Sequence, residues 1–330
     1  DQTGTSYFER PAMGAGVWGR MGSMVMRKPV VSALVAGGIL VGLALPVFTM
    51  ELGQQSIASY PDSEFKTGYL KMAEYYDAGQ EDPVQIAITG DPESPAIADG
   101  IESLTASLAE DNRYGMVASE VSPDGELTVV NVVLHIDPFS VEGEEAVHDL
   151  RDEYVPQAFD EVGGDIYVAG APASVADFNT VLGDRLPYVF AFVLGLSFVL
   201  LLLAFRSVMI PVMSIVLNML SVGAAYGAVV LVFQHGFMAD VLGFTQVDTI
   251  TNWLPVMLFC ILFGLSMDYH VFLLSRVREA WDHTGDNATS IVGALQSTGR
   301  IITGAAAIMV AVFFAFATGS LPEMQQMGFG

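Results

Sequence analysis

A single carboxylate, Asp268, lies in the middle of a long apolar stretch, residues 253–274. The stretch has the length of about 20 residues that an α-helix needs to cross a lipid bilayer. A carboxylate inside such a helix is costly unless it faces protein or water, so it marks a candidate functional site. Burial favours the neutral acid, and the residue is therefore suited to proton or cation exchange. The alternative is a structural hydrogen bond to a neighbouring helix.

Two polar residues follow Asp268 directly. Tyr269 lies about 100° further round the helix, where its phenol could hydrogen-bond a proton relay or simply pack. His270 lies about 200° from Asp268, so the two cannot face the same cavity. A proton role for His270 is the less favoured of its two interpretations, and the sequence leaves its role open.

Small residues are predicted to bring neighbouring helices close to the acid. Gly264 precedes Asp268 by one helical turn and lies on the same face. Gly223 and Gly227 form a small-residue face in a second apolar stretch, and Gly304 belongs to another in a third. Such faces allow close helix packing, and we expect the resulting bundle to enclose Asp268.

Three hydroxyl or amide side chains are candidate hydrogen-bond partners of Asp268. Asn218 and Ser221 are three residues apart and share a helix face. Thr303 belongs to a later apolar stretch, at a shallower depth. For each of them, local packing within its own helix is the alternative.

The overall composition places these helices around an aqueous domain. The chain has 330 residues, of which 52% are hydrophobic, yet its net charge is −24. Residues 51–186 hold 28 Asp and Glu against 5 Lys and Arg, and the remainder is nearly neutral. An acidic domain is therefore inserted into a membrane protein. The lone cysteine, Cys260, lies in an apolar run and indicates no disulfide framework.

Five apolar stretches are long enough to be membrane helices: residues 30–48, 188–205, 208–233, 254–274 and 301–317. A signal peptide is the alternative for the first, but the run is longer than a signal-peptide core and no cleavage motif follows. We predict a cytoplasmic tail at 1–29, a helix at 30–48, an aqueous domain at 49–186 and four helices within 187–320. Residues 321–330 would begin a further helix that the fragment lacks.

Basic residues cluster at one side of these helices and predict the orientation. With the N-terminus inside, the positive-inside rule is satisfied throughout, and the acidic domain is extracytoplasmic. The residues concerned are Arg27, Lys28, Arg206, Arg276, Arg278 and Arg300.

The acidic domain alternates between strand and helix patterns. Strands are predicted at 84–89, 114–119, 127–136 and 166–168, and helices at 96–108 and 142–159. A Ser-Pro-Asp-Gly turn at 122–125 joins the middle strands. The order is βαββαβ, the ferredoxin-like α+β arrangement.

Several function classes find no support in the sequence. It has no phosphate-binding loop, no His-Glu-x-x-His motif and no Gly-x-Ser-x-Gly motif, so no ATPase, metalloprotease or serine hydrolase is predicted. The segment 282–286 is read as a solvated loop rather than a metal site. The acidic domain lacks a basic surface for nucleic acid. We expect no enzyme activity, no catalytic or metal-binding residue and no cofactor.

Several motifs together resemble one family. Residues 263–279, Phe-Gly-Leu-Ser-Met-Asp-Tyr-His-Val-Phe-Leu-Leu-Ser-Arg-Val-Arg-Glu, resemble a helix of the C-terminal half of MmpL-type transporters of the RND superfamily. The segments 205–211, 217–227 and 297–303 resemble neighbouring parts of the same half, in the same order. The resemblance extends over residues 20–330.

The resemblance implies a specific architecture and function. Such transporters have twelve membrane helices in two halves, each half with an extracytoplasmic porter domain, and this chain would be the second half. Asp268 and Tyr269 would pair with an equivalent Asp-Tyr of the N-terminal half to form a proton relay. The proton gradient would drive export of lipids or hydrophobic small molecules across the plasma membrane. His270 departs from the Glu that is frequent in related sequences.

Other functions on the same architecture stay open. One is coupling to Na⁺, or assistance to protein export, as in other members of the superfamily. Another is a lipid-sensing scaffold that transports nothing, against which the intramembrane acid argues. The sequence leaves open the cargo, the coupling ion and whether the protein forms a homo-oligomer.

Overall fold

The computed structural model describes residues 16–55, 57–76, 79–160 and 162–330, and this part of the chain is mostly helical. In chain order its α-helices are α1 Gly16–Arg27, α2 Pro29–Ala44, α3 Glu64–Tyr75, α4 Pro95–Leu108, α5 Val141–Asp149, α6 Val155–Ala158, α7 Ala171–Phe205, α8 Met209–Val229, α9 Ala239–Leu242, α10 Leu254–Thr284, α11 Asn287–Ala317 and α12 Pro322–Phe329. Its strands are β1 Leu52–Gly53, β2 Val84–Thr89, β3 Tyr114–Val121, β4 Leu127–Leu134, β5 Ile166–Ala169 and β6 Ile250–Thr251.

Five helical segments among the described residues are long and apolar enough to cross a membrane. They are Pro29–Thr49, Ala171–Phe205, Met209–Gln234, Leu254–Thr284 and Asn287–Ala317. Each contains one of the stretches predicted from hydropathy, except that Val208 of the third stretch lies one residue before its helix. The protein is a multi-pass membrane protein. At 1.5 Å per residue the 31 residues of α10 extend about 45 Å, more than the roughly 30 Å of bilayer hydrocarbon.

Four strands form one antiparallel sheet in the order β3-β4-β2-β5. The order and pairing are those of the βαββαβ arrangement. In β2, alternate residues point into the core, and Val84, Ile86 and Ile88 are fully buried. The turn between β3 and β4 ends at Gly125, whose φ of 73° lies in the left-handed region that favours glycine. We call β2 to β5, α4 to α6 and the first turns of α7 the sheet domain.

Helix α7 belongs to both the sheet domain and the membrane. Ala173 and Ala176, near its start, are buried in the core of the sheet domain, and the helix continues without interruption to Phe205. The boundary predicted at residue 186 therefore falls inside a continuous helix. The hydropathy pattern missed the first part because charged residues, among them Asp177, interrupt it on the exposed side of the helix.

Both ends of the described chain are helical where the sequence predicted a tail and a partial span. In the predicted tail, α1 packs on α11, with Trp18 against Gly299. Residues 1–15 of that tail lie outside the described residues. At the other end α12 packs back along α11, so closely that a Cβ on Gly328 would lie 2.1 Å from the Ala317 nitrogen.

The segment that precedes α10 is anchored by a short parallel strand pair. Leu52 of β1 pairs with Ile250 of β6, and Gly53 with Thr251. The Thr251 backbone N–H also donates to the side-chain oxygen of Gln326 in α12, at 3.1 Å. The start of α10 is thus connected to the segment after α2 and to α12.

Candidate functional site

Helix α10 carries the residue that the sequence singled out. Pro255 lies in its first turn, where a missing backbone N–H costs nothing, and Gly285 ends the helix with a φ of 63°. Asp268 is close to the middle of the 31 residues, far from either end. Its short side chain cannot reach the polar boundary of a membrane from that position.

Asp268 is exposed on the surface of the described chain, and so are Cys260 and Gly264 on the same face of α10. A Cβ on Gly264 would meet no atom within 4 Å. The structure therefore differs from the expectation that the chain's own helices enclose the acid. The reason is that α10 turns a different face, with Phe259 and Phe263, into the bundle.

Tyr269 points towards the neighbouring helix α11. Its hydroxyl donates to the Met309 sulfur at 3.7 Å, a weak hydrogen bond. Tyr269 and Asp268 thus lie side by side, with the phenol at the junction of α10 and α11 and the carboxylate on the open face. His270 is partly buried.

Asn218 contacts α10, but at Ser266 rather than at Asp268. The Asn218 amide oxygen accepts a hydrogen bond from the Ser266 hydroxyl, and Asn218 is 2% exposed. The Asn218 amide nitrogen has no hydrogen-bond partner among the described residues. The sequence reasoning missed Ser266, although it is a polar residue in the same apolar stretch.

The other two candidate partners bond to their own helices. The Ser221 hydroxyl donates to the Leu217 carbonyl oxygen at 3.1 Å, and the Thr303 hydroxyl donates to the Gly299 carbonyl oxygen at 2.6 Å. Both residues are exposed. The described chain therefore does not bring Ser221 or Thr303 to Asp268.

The candidate packing glycines divide into two groups. Those of α8 face α2: a Cβ on Gly223 would lie 3.4 Å from the Ala44 Cβ, and one on Gly227 only 1.8 Å from the Leu43 carbonyl oxygen. Those of α10 and α11 are open, since a Cβ on Gly304 would meet nothing within 4 Å, as at Gly264. The small-residue face of α8 thus receives α2 instead of sheltering Asp268.

Outside the membrane helices the closest contacts of charged groups are ion pairs and hydrogen bonds within and beside the sheet domain. Arg113 bridges Asp111 and Asp149, each at 2.7 Å, and its hydrogen bonds lower the pKa of Asp111. Burial and a hydrogen bond to Glu323 raise the pKa of Tyr60 to about 12. No cluster of His, Cys, Asp and Glu that could hold a metal ion occurs in the described ranges. The open face of α10 is therefore the strongest candidate for a functional site among the described residues.

Comparison with known proteins gives matches over nearly the whole chain. A model of the MMPL family matches residues 71–330. The mycolic acid-containing lipids exporter MmpL11 of Mycolicibacterium smegmatis is 33% identical over 317 residues, which cover 94% of this chain and 33% of that protein. The heme uptake protein MmpL11 of Mycobacterium tuberculosis is 31% identical over 316 residues, covering 94% and 32%.

A further relative has a different named cargo. The trehalose monomycolate exporter MmpL3 of Mycobacterium tuberculosis is 28% identical over 340 residues, which cover 97% of this chain and 34% of that protein. The chain spans about a third of the length of these relatives.

Proposed function

Since the chain belongs to the MMPL family, we propose that it forms the second half of a transporter in the plasma membrane. The transporter uses inward proton movement to drive export of lipids or hydrophobic small molecules. Asp268, with Tyr269 beside it, takes up and releases the proton. The N-terminal half of the same transporter supplies the rest of the site.

The position of Asp268 carries this proposal. The carboxylate lies near the middle of a membrane helix and is exposed on a face where Gly264 also leaves open space. A charged side chain facing lipid at this depth costs roughly 2.5–3.5 kcal/mol on insertion scales. A face with an acid and a glycine one turn apart is therefore suited to a protein neighbour or a water-filled path, and not to lipid.

Protonation of Asp268 gives a physical basis for movement. Taking up a proton removes a charge between packed helices and changes which arrangement of those helices has the lower free energy. The hydrogen bond between Ser266 and Asn218 joins α10 to α8 close to Asp268. A change at Asp268 would therefore act on both helices.

The charge distribution supports an orientation with the sheet domain outside the cytoplasm. Arg206 ends α7, and Arg276 and Arg278 lie in the last turns of α10, at the ends of these helices remote from the sheet domain. Basic residues favour the cytoplasmic side. The sheet domain then acts as the extracytoplasmic porter domain through which cargo leaves.

The names of the relatives support a lipid cargo and suggest a second one. Relatives of this chain are named as exporters of mycolic acid-containing lipids and of trehalose monomycolate. Another is named a heme uptake protein. Heme is also a largely hydrophobic molecule, so it is the second candidate cargo, moved in the opposite direction.

The test compares two Asp→Asn variants of the full-length transporter in proteoliposomes with an imposed pH gradient. Asp268→Asn keeps the size of the side chain and removes its titration. Asp282→Asn makes the same change near the end of the same helix, where the residue is exposed. We expect Asp268→Asn to reduce transport of a radiolabelled mycolic acid-containing lipid to background and Asp282→Asn to leave it unchanged.

Further arms separate the alternatives. If the Asp268→Asn protein transports at the parent rate under the pH gradient, Asp268 does not take up and release the coupling proton. Transport that survives a proton uncoupler and stops when K⁺ replaces Na⁺ would show sodium coupling instead. Uptake of hemin, in the absence of lipid export, would favour the second cargo. Binding of lipid without any transport would favour a lipid-sensing scaffold.

A further inference from the structure

Helices α7 and α10 run side by side in the same direction and touch at three levels. The contacts are the hydrogen bond from Asn252 to Asn179, the stacked rings of Phe190 and Phe259 with centroids 3.9 Å apart, and the hydrogen bond from Arg278 to the Phe205 carbonyl oxygen at 3.0 Å. The first and last contacts are 26 residues apart along both segments, from 179 to 205 and from 252 to 278. The middle contact departs from this offset, since Phe190 follows Asn179 by 11 residues and Phe259 follows Asn252 by 7, so the two helices run alongside each other without a constant register.

The first of these contacts holds the start of the helix that carries Asp268. Asn252 immediately precedes the N-cap residue of α10 and is 3% exposed. Its amide oxygen accepts a hydrogen bond from the Trp253 N–H at 2.8 Å, and its amide nitrogen donates to the Asn179 amide oxygen. Both ends of the Asn252 amide are therefore used, which fixes the orientation of the side chain.

Asn179 continues the connection into the sheet domain. Its amide nitrogen donates to a carboxylate oxygen of Glu144 in α5, at 2.6 Å. Two residues earlier, Asp177 forms an ion pair with Arg151, also at 2.6 Å. This part of α7 is thus held to α5 and to the helical segment Leu150–Tyr154 after it by polar contacts, in addition to the buried Ala176.

Pro187 separates the Asn179–Asn252 contact from the contacts that α7 makes within the membrane. A proline inside a helix removes one backbone hydrogen bond and weakens the helix at that point. The membrane part of α7, which stacks on α10 through Phe190, can therefore tilt relative to the part in the sheet domain. If movement of α10 is to reach the sheet domain, a further contact is needed between α10 and the part of α7 that precedes Pro187.

We propose that Asn179 and Asn252 are positioning residues that couple the α10 helix to the sheet domain. When α10 shifts upon protonation of Asp268, the Asn252–Asn179–Glu144 connection moves the sheet domain with it. The inference rests on the proposed proton-driven function and adds to it the residues that transmit the movement.

The chemistry of the connection makes asparagine specific at position 179. An asparagine side chain both donates and accepts, so it can bind the Glu144 carboxylate and the Asn252 amide at once. Asn179→Asp would place two carboxylates against each other and break the connection. Adding Glu144→Gln supplies an amide donor on the other side, so the double variant restores both hydrogen bonds.

The experiment uses the full-length transporter with Cys260→Ser and two measurements on each variant. Spin labels at Glu126 in the sheet domain and at Phe48 after α2, both exposed, report the distance between these parts as the pH is lowered. Difference infrared spectroscopy reports protonation of the Asp268 carboxyl group. In the parent protein we expect a protonated-carboxyl band and a shift in the distance over the same pH range.

The variants then separate coupling from protonation. The infrared band should persist in Asn179→Ala, Asn252→Ala and Asn179→Asp. In these variants the ratio of molecules with a shifted sheet domain to molecules with an unshifted one, at low pH, should fall about two- to tenfold, as expected for the loss of one hydrogen bond. Asn179→Asp combined with Glu144→Gln should regain the parent shift. Asn131→Ala, which removes a hydrogen bond from Gln85 within the sheet, should keep it throughout.

Two results would overturn the inference, and one of them leaves the proposed function intact. A full distance shift in Asn179→Ala and Asn252→Ala, together with its loss in Asp268→Asn, would refute the coupling role alone. A parent protein without any distance shift, or a shift that persists in Asp268→Asn, would refute both the coupling role and the proton-driven movement.

Discussion

In β2 of the sheet domain Val84, Ile86 and Ile88 are fully buried, whereas Gly264 and Asp268, one turn apart on α10, are exposed. The sheet domain buries its apolar residues among its own elements and pairs Arg113 with two carboxylates. The open face of α10 does neither, because no atom of another described element lies within 4 Å of a Cβ built on Gly264.

The difference teaches which part of the molecule is complete within this chain. Apolar exposure alone would indicate nothing in a membrane helix, since lipid covers apolar residues at no cost. An exposed carboxylate at the middle of such a helix is different, because lipid does not solvate it. We therefore interpret the sheet domain as packed by its own residues and the Asp268 face as a surface that needs a neighbour.

The largest effect is expected in the sheet domain core. Leu104→Ala removes a fully buried side chain and should lower the local free energy of unfolding by about 2–5 kcal/mol. The matched change Leu70→Ala, at an exposed helix position, should change it by less than about 0.5 kcal/mol. Hydrogen exchange of the β2 amides in the full-length protein measures both. If the two variants changed the free energy of unfolding equally, the buried core would not be what stabilises the sheet domain.

A smaller effect is expected on the open face of α10. Gly264→Leu should overpack the surface that we assign to a protein neighbour and destabilise the full-length transporter by about 1–3 kcal/mol. Gly38→Leu places the same side chain on α2, where it also meets nothing within 4 Å. That variant should be neutral, because the residues one turn from Gly38 are all apolar or glycine and lipid covers such a face at no cost. Thermal unfolding in detergent compares the two, and a neutral Gly264→Leu would mean that this face of α10 also meets lipid.

The smallest effect is expected for the ion pair of Arg113 and Asp111 when the pH is lowered. Because the folded pKa of Asp111 is lowered from 3.8, the pair adds stability above that pH and loses it as the pH falls through the folded value. For a pair near the surface we expect at most about 1 kcal/mol. Hydrogen exchange of β3 between neutral and acidic pH should show this loss in the parent protein. In Asp111→Asn the corresponding pH dependence should be absent.

Local pattern in the sequence was sufficient for much of the architecture. The predicted strand 84–89 has the same bounds as β2, because alternating burial leaves a period of two in the sequence. The five apolar stretches, apart from Val208, lie in membrane-competent helices. The resemblance of residues 263–279 to MmpL-type transporters is confirmed by the family match over 71–330.

Contacts between distant residues could not be predicted in the same way. The bond between Asn179 and Asn252 joins residues 73 positions apart, and no local periodicity reports it. Small residues predicted close packing at Gly227 but not the partner, which is α2. For Asp268, hydropathy gave its depth, whereas its exposure depends on which faces of α10 the other helices occupy.

The most direct test of the central claim is the protonation of Asp268 itself. Difference infrared spectroscopy of the full-length transporter, recorded as the pH is lowered across the range in which transport operates, detects the protonated carboxyl group. We predict a band in the parent protein that is absent in Asp268→Asn and retained in Asp282→Asn. The same band in the parent and Asp268→Asn proteins would contradict the account.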